Sequence, residues 1–339
     1  MKKEKATIKD IAKYAGVSIA TVSRYINKTR NLNPEVSGRI QAAIEHFNYI
    51  PNDNARALKS RNERIIGIIF PDITNAFFAK IFKILEELLF DHKIFLLLCN
   101  SNEDGEKEKE YLYRLLQKRV DAIVIAPTGL NPDLLSEVNK STPVIIFDRN
   151  QPNIIADQLY ANDFDSCYQL TQYILDRGHR EVAYAIGAEN STAAQFRYAG
   201  FQKAMAENGV SPEHCHVLYS QDESACRQEF RELLLQDQIS ALLITSPKKL
   251  NWFLIERNQL CLKGHNPMLA FAGYATQNEF DICDIPLTGI LQKEEVYASR
   301  LTKIILNRLE HPNGKVRISE LNLPFRKGNS ISRIDLRKD

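Results

Sequence analysis

Short runs of consecutive apolar residues, bounded by polar or turn-forming positions, recur along most of the chain: IIGIIF (65–70), IFLLLC (94–99), AIVIA (122–126), VIIF (144–147), VAYAI (182–186) and ALLIT (241–245). Unbroken runs of this length suit strands buried on both faces of a parallel sheet. Between several of them stand segments with helical spacing of apolar positions, such as FFAKIFKILEELLFDH and LTQYILDRG. Strands alternating with helices predict α/β units, and about ten such strands from Arg64 onward exceed what one small sheet needs. Two Rossmann-like lobes facing a cleft are therefore expected, although no internal repeat marks them.

Residues 7–50 have another texture and predict three short helices. Thr7 with Asp10 forms a capping-box pattern, Gly16 ends the first helix and Ser18 caps the second. Asn33-Pro34 opens the third with Pro in its first turn. Ile11, Ala15, Val17, Val22 and Tyr25 fall where two helices joined by a tight turn share a core, with small Ala12 at their closest approach. This is helix-turn-helix spacing, and it turns Ile19, Ala20, Thr21, Ser23 and Arg24 outward. Arg24 can give a bidentate pair to guanine, while Ile19 and Ala20 can meet thymine methyls. Ser18, Thr21, Ser23 and Asn27 have the size to reach phosphate oxygens. Residues 51–63 are polar and basic. Within them NDNARALKS (52–60) offers no apolar face and is too short to hold a helix unaided.

Charge sharpens the division. Residues 1–64 hold 13 Lys/Arg and 6 Asp/Glu, a balance of +7, which leaves 31 against 36, or −5, for the rest. A basic head on a mildly acidic body predicts an anionic partner for the head alone. The six cysteines are scattered without a CxxC pair, which argues against a zinc site and predicts reduced thiols. No P-loop, GxSxG elbow, HExxH or Cys/His cluster occurs, so neither an enzyme nor a cofactor or metal is expected. MKKEKATIKD lacks the apolar core of a signal peptide, and no run approaches the ~18 apolar residues of a membrane span. The expectation is a bacterial cytoplasmic, nucleoid-associated protein with no membrane partner.

TIKDIAKYAGVSIATVSRYIN, followed by YIPNDNARALKS, closely resembles the LacI/GalR family of effector-responsive repressors. PDITNAFF (71–78), IIFDR (145–149), ILDRGHREVAYAIG (174–187), FRYAGFQKAM (196–205) and IPLTGILQ (285–292) are similar to the family's landmarks, in order. The resemblance implies a mixed α/β protein: a small all-α helix-turn-helix head (1–50), a hinge helix and linker (51–63), and a two-lobed body (64–339) similar to periplasmic binding proteins. The N-lobe is expected at about 64–162 plus 292–320, the C-lobe at about 163–291 plus the tail. It implies a homodimer on a pseudopalindromic double-stranded operator, without a heptad tail for tetramers. Two hinge helices would enter the minor groove, Leu58 wedging a base step beside Ala55. Arg56 would lie on phosphate, and Thr7, Tyr49 and Asn52 would join the DNA contacts.

The effector positions implied are Asn75, Phe78, Asp148, Arg149, Arg197 and Gln292. Two departures matter. GYAT places Ala275 where relatives carry a sugar-binding Asp, and ITSPKK places Ser246 and Pro247 where an Asn-Asp pair is frequent. With Arg149 and Arg197 kept and Lys248 and Lys249 adjacent, a positive cleft is expected. The expected effector is an anionic sugar derivative, either a sugar acid such as a keto-deoxy-gluconate or a phosphosugar. The alternatives are a neutral sugar, a partner protein as the signal, and a ligand-independent architectural DNA-binding protein.

Overall fold

The computed structural model describes residues 6–26, 32–49, 64–211, 214–236, 238–265 and 267–334, which belong to two compact units, 1–62 and 63–339.

In the first unit α1 (Ile8–Ala15), α2 (Ile19–Ile26) and α3 (Pro34–Phe47) enclose Ile11, Ala12, Ala15, Val22, Ile40 and Ala43. The local punctuation is chemical. The Thr7 N–H and hydroxyl both donate to the Asp10 carboxylate, at 2.8 and 2.7 Å. Gly16 takes the left-handed conformation at φ +64° that ends α1, where a side chain would add strain. The Ser18 hydroxyl accepts the Thr21 N–H at 3.1 Å, and Asn33 caps Pro34-led α3 by accepting the Glu35 N–H at 3.0 Å. Both supply orphan amide donors of a helix start with an acceptor.

In the second unit one six-stranded sheet contains β1 (Arg64–Phe70), β2 (Ile94–Asn100), β3 (Ala122–Ile125), β4 (Val144–Asp148), β5 (Asp157–Ala161) and β11 (Ile318–Leu321), in the order β11-β5-β4-β3-β1-β2. A second contains β6 (Val182–Ala185), β7 (Cys215–Leu218), β8 (Ala241–Ile244), β9 (Ala270–Ala275), β10 (Thr288–Leu291) and β12 (Phe325–Arg326), in the order β12-β10-β9-β8-β6-β7. Neighbouring strands run parallel except the β10–β12 pair. The intervening helices are α4 (Ala76–Phe90), α5 (Gly105–Gln117), α6 (Pro132–Asn139), α7 (Asp163–Leu175), α8 (Thr192–Glu207), α9 (Glu223–Leu235), α10 (Pro247–Leu262), α11 (Gln277–Ile282) and α12 (Glu294–Glu310).

Both faces of each sheet are covered, which is why the strands read as unbroken apolar runs. Along β1 the side chains alternate: Ile66, Ile68 and Phe70 pack with Phe77, Phe78 and Ile81 of α4, and Ile69 with Leu112 and Leu115 of α5. Gly67 makes room there for Leu115, whose Cδ1 would lie 2.4 Å from a Cβ and would have to shift. In the second sheet Val182 and Tyr184 pack with Leu170 of α7 and Phe201 of α8, and Ala183 and Ala185 with Phe230 and Phe253.

The chain passes between the lobes three times: after β5, between β10 and α12, and between β11 and β12. After β10 it re-enters the first lobe as α12, whose Tyr297, Leu301 and Ile305 complete that core. A buried ion pair fixes this return. Arg308 on α12 donates through Nε and Nη2 to the Asp157 carboxylate at 2.7 and 2.8 Å. Asp157 also accepts the Arg317 N–H at 2.8 Å. Removing one partner of such a pair strands a buried charge, at a cost of about 3–5 kcal/mol. Arg308→Met is therefore expected to lower body stability by about that amount in urea unfolding, while adding Asp157→Leu recovers most of it. A loss within experimental error for the single variant would refute the role given to the pair.

Candidate functional sites: the recognition helix and the interlobe cleft

On the head, α2 leaves Ile19, Ala20 and Arg24 exposed. Thr21 and Ser23 are only half exposed, a smaller outward face than the helix spacing predicts. The Ser18 and Thr21 hydroxyls lie 2.8 Å apart and are engaged with each other as well as with the cap. Tyr49 is half-buried against the head core, and burial raises its phenol above the ordinary value. Tyr25 donates its hydroxyl to Gln41 at 2.9 Å, tying α2 to α3. Asn27, Asn52, Ala55, Arg56 and Leu58 lie outside the described residues.

In the body, the loops following the parallel strands converge from both lobes on a cleft of about 610 Å³. This is the crevice at strand carboxyl ends that α/β sheets characteristically offer to ligands. Asn75, Phe78, Asp148, Arg149, Arg197 and Gln292 all line it. Their local chemistry differs from the expectation in several places.

Asn75 is the N-cap of α4, its side chain accepting the Phe77 N–H at 3.1 Å. Phe78 is largely core, with its ring centroid 5.0 Å from that of Phe70 and 5.3 Å from that of Phe77. Asp148, at the end of β4, is buried and holds a left-handed backbone at φ +64°. For a non-glycine residue that is strain, which persists where the surroundings over-determine it. Burial raises its carboxyl above the usual range against the pull of Arg197 and Arg149. Gln292 is buried, and among the described residues its Oε1 makes no hydrogen bond.

The two guanidiniums are not free for an anion, contrary to expectation. Arg149 gives Nη1 and Nη2 to the Glu103 carboxylate at 2.8 and 2.6 Å, and Nη1 also to the Pro127 carbonyl. Arg197 gives Nε to Asp163 at 2.7 Å and Nη1 to the Thr245 carbonyl at 2.7 Å, with its guanidinium 4.1 Å over the Tyr274 ring. Burial pushes Asp163 up to about 6 despite Arg197, and nearby Asp148 adds to the push. Burial opposes the Arg197 charge as well, but Asp163, Tyr274 and Asp148 together outweigh it and hold the guanidinium above its ordinary value. The expected positive cleft is not found either, because Asp72, Glu103, Asp148, Glu189 and Asp222 line it beside Arg149, Arg197, Lys248 and Lys249. Ala275 is fully buried in the core, and the following Thr276 is occupied in a cap with Glu279.

Several contacts among the described residues join the lobes at the cleft. Lys248 Nζ reaches the Asp72 carboxylate at 2.5 Å while standing 5.1 Å over the Trp252 ring. Asp72 is oriented by the Thr74 N–H and hydroxyl, at 2.9 and 2.7 Å. The Thr192 hydroxyl donates to the Asn150 carbonyl at 2.9 Å. Gly129, at φ +87°, lets Asn190 approach so closely that a Cβ would sit 2.4 Å from its carbonyl oxygen. Lys249 is buried and donates to the Ile186 carbonyl. Sequence reasoning passed over Asp72, although it lies inside PDITNAFF, and it had no signal for Glu103 or Asp163. Among the described residues no group of three or more His, Cys, Asp or Glu side chains is placed to hold a metal, and no helix is long and apolar enough to cross a membrane.

Residues 63–238 match the family model described as periplasmic binding proteins and sugar binding domain of LacI family, and residues 7–52 that of bacterial regulatory proteins, lacI family. The HTH-type transcriptional repressor PurR of Haemophilus influenzae (strain PittGG) is 32% identical over 310 residues, covering 90% of this chain and 92% of that protein. PurR of Photobacterium profundum is 28% identical over 321 residues, covering 94% and 96%. Among solved structures, the lac repressor dimer bound to operator and the anti-inducer ONPF superposes with a TM-score of 0.76 at 19% identity, covering 97% of this chain and 100% of that chain. A LacI family transcriptional regulator from Silicibacter pomeroyi gives 0.80 at 20% identity, with the same coverage. These two likenesses speak for the fold, whereas the family models and the repressor relatives speak for descent. The helix-turn-helix head, the two-sheet body and these matches place this chain in the LacI family of DNA-binding transcriptional repressors.

Proposed function

We propose that this repressor binds a pseudopalindromic operator as a homodimer and that a small polar effector in the interlobe cleft sets its grip on DNA. The observation that carries the reading is the cleft itself, lined from both lobes and floored by acceptors, the strained Asp148 carboxylate and the unpartnered Gln292 Oε1. Acceptors without donors call for a ligand rich in hydroxyl or N–H groups. The effector class proposed is a sugar acid, such as a keto-deoxy-gluconate, or a phosphosugar. A neutral polyol lacks the acid that the lysine side of the cleft favours. Closure around the ligand moves one lobe against the other, which is a hinge-type switch, and the Asp72–Lys248 contact belongs to the closed arrangement.

Three measurements test this. Footprinting and gel shifts on the gene's own upstream DNA, repeated with sugar acids, phosphosugars, neutral sugars and purine bases, are expected to reveal a protected inverted repeat and one class that changes its occupancy. Protection untouched by every compound would favour an architectural protein instead. Leu58→Ala is expected to weaken operator binding about tenfold or more, since a wedge's unstacking supports the bent duplex, while sedimentation shows an unchanged dimer and calorimetry unchanged effector binding. Equal operator affinity would reduce the segment to a tether. The Lys248 and Asp72 side chains are 32% and 19% exposed, so their pair is worth about 1 kcal/mol at most. Lys248→Gln should therefore weaken effector binding by no more than about fivefold, and should do so less at high salt, where the pair is already screened. Tighter binding would show that the pair opposes closure.

A further inference from the structure

We infer that Lys249, in the first turn of α10, is the residue that reads an acidic group, carboxylate or phosphate, on the small molecule in the cleft. The inference rests on the effector reading of that cleft and names the chemistry of one corner of it.

Four basic side chains line the cleft, and three are ion-paired: Arg149 with Glu103, Arg197 with Asp163, and Lys248 with Asp72. Lys249 is the exception. It is 3% exposed, and among the described residues no carboxylate oxygen lies within 4 Å of its Nζ. Its bond is to the neutral Ile186 carbonyl. An ammonium has three donors, so two remain on a group that lines the cavity. Taking an ammonium out of water without a counter-charge costs several kcal/mol. Burial pulls the Lys249 amine below its ordinary value, against smaller opposing effects from Cys226, Glu229 and Glu189. None of those three supplies the missing charge at contact distance. Burial raises the Cys226 thiol to about 11, so it is neutral at pH 7. Glu229 is bonded through one oxygen to the Ser220 hydroxyl, and Glu189 is exposed at the rim.

The backbone adds to the same corner. α10 is a 16-residue helix whose N-cap, Ser246, makes no side-chain cap bond. Pro247 has no N–H to satisfy. The first turn contains no acidic residue, and the cap residue and that turn line the cleft. Uncapped amides at the positive end of a helix favour an anion. Asp72, which meets this end from the other lobe, is already held by Lys248. Across the cleft, Asp148 and Gln292 offer acceptors. The cavity therefore suits a molecule with an acid at one end and hydroxyls at the other. The KK doublet divides its work: Lys248 bridges the lobes, and Lys249 meets the ligand.

The test is calorimetry on the intact full-length protein with matched pairs: galacturonate against galactose, glucose 6-phosphate against glucose, and 2-keto-3-deoxygluconate against its 2-keto-3-deoxy hexose parent. Wild type is expected to bind at least one acid more tightly than its neutral parent. Lys249→Met is expected to lose tenfold or more of that acid's affinity while keeping its affinity for the neutral parent, and Lys249→Arg, which keeps the charge, to retain part of it. Should the Met variant fail to fold by thermal melting, Lys249→Gln takes its place under the same criterion. The inference is overturned if the neutral variant binds the acid as tightly as wild type, or if wild type binds only neutral members. A neutral compound that shifts operator occupancy sinks the acid-reading role and leaves the effector reading standing. No compound of any class shifting occupancy sinks the effector reading itself.

Discussion

A charge taken out of water must meet an opposite charge or a full set of hydrogen bonds, and the body is arranged around that constraint. Arg308 and Asp157 lock the returning helix α12 to the start of β5. Arg197 joins α8 to the Asp163 end of α7 and to the carbonyl closing β8. Arg149 pins the loop after β2 beneath the end of β4. These pairs are neutralised within the protein and hold the architecture. What can respond to a ligand is the remainder: a strained buried carboxylate, an orphaned amide oxygen, one unpaired ammonium and a half-exposed ion pair between lobes.

Topology decides where that remainder collects. Nearly all strands in each sheet run parallel, so the loops at their carboxyl ends gather on one edge, together with the N-termini of the helices that follow. The two sheets present those edges to each other across the cleft. Three crossings of the chain connect them, a number that permits one lobe to move against the other without breaking either core. Close approach is built into the backbone, at Gly129 beneath Asn190 and in the left-handed turn at Asp148. In both places an ordinary residue in an ordinary conformation would hold the lobes or the loop differently.

How much of this was legible in the chain depends on distance along it. β1 to β4, β6 and β8 were legible because strands covered on both faces must be apolar throughout. β5 was not: its DQLYA segment buries Asp157 and Gln158, and the Asp157 charge is met by Arg308 from 151 residues away. Helix caps at Thr7, Gly16, Ser18 and Asn33 were legible because each is satisfied within a few residues. Arg149 and Arg197 were legible as cleft residues, but their partners stand 46 and 34 positions away, and no local pattern links them. The expected positive cleft failed for the same reason. It counted two lost polar ligands on two loops and left out acids brought in by other loops.

An effector can shift DNA binding only through its different affinity for two arrangements of the body. The Asp72–Lys248 pair is too exposed to hold one arrangement by more than about 1 kcal/mol. That contribution is comparable to one or two hydrogen bonds at about 0.5–1.5 kcal/mol each. With Lys249 in the acid-reading role inferred for it, a ligand acid contributes more there than a hydroxyl does, because that buried ammonium otherwise meets only the neutral Ile186 carbonyl.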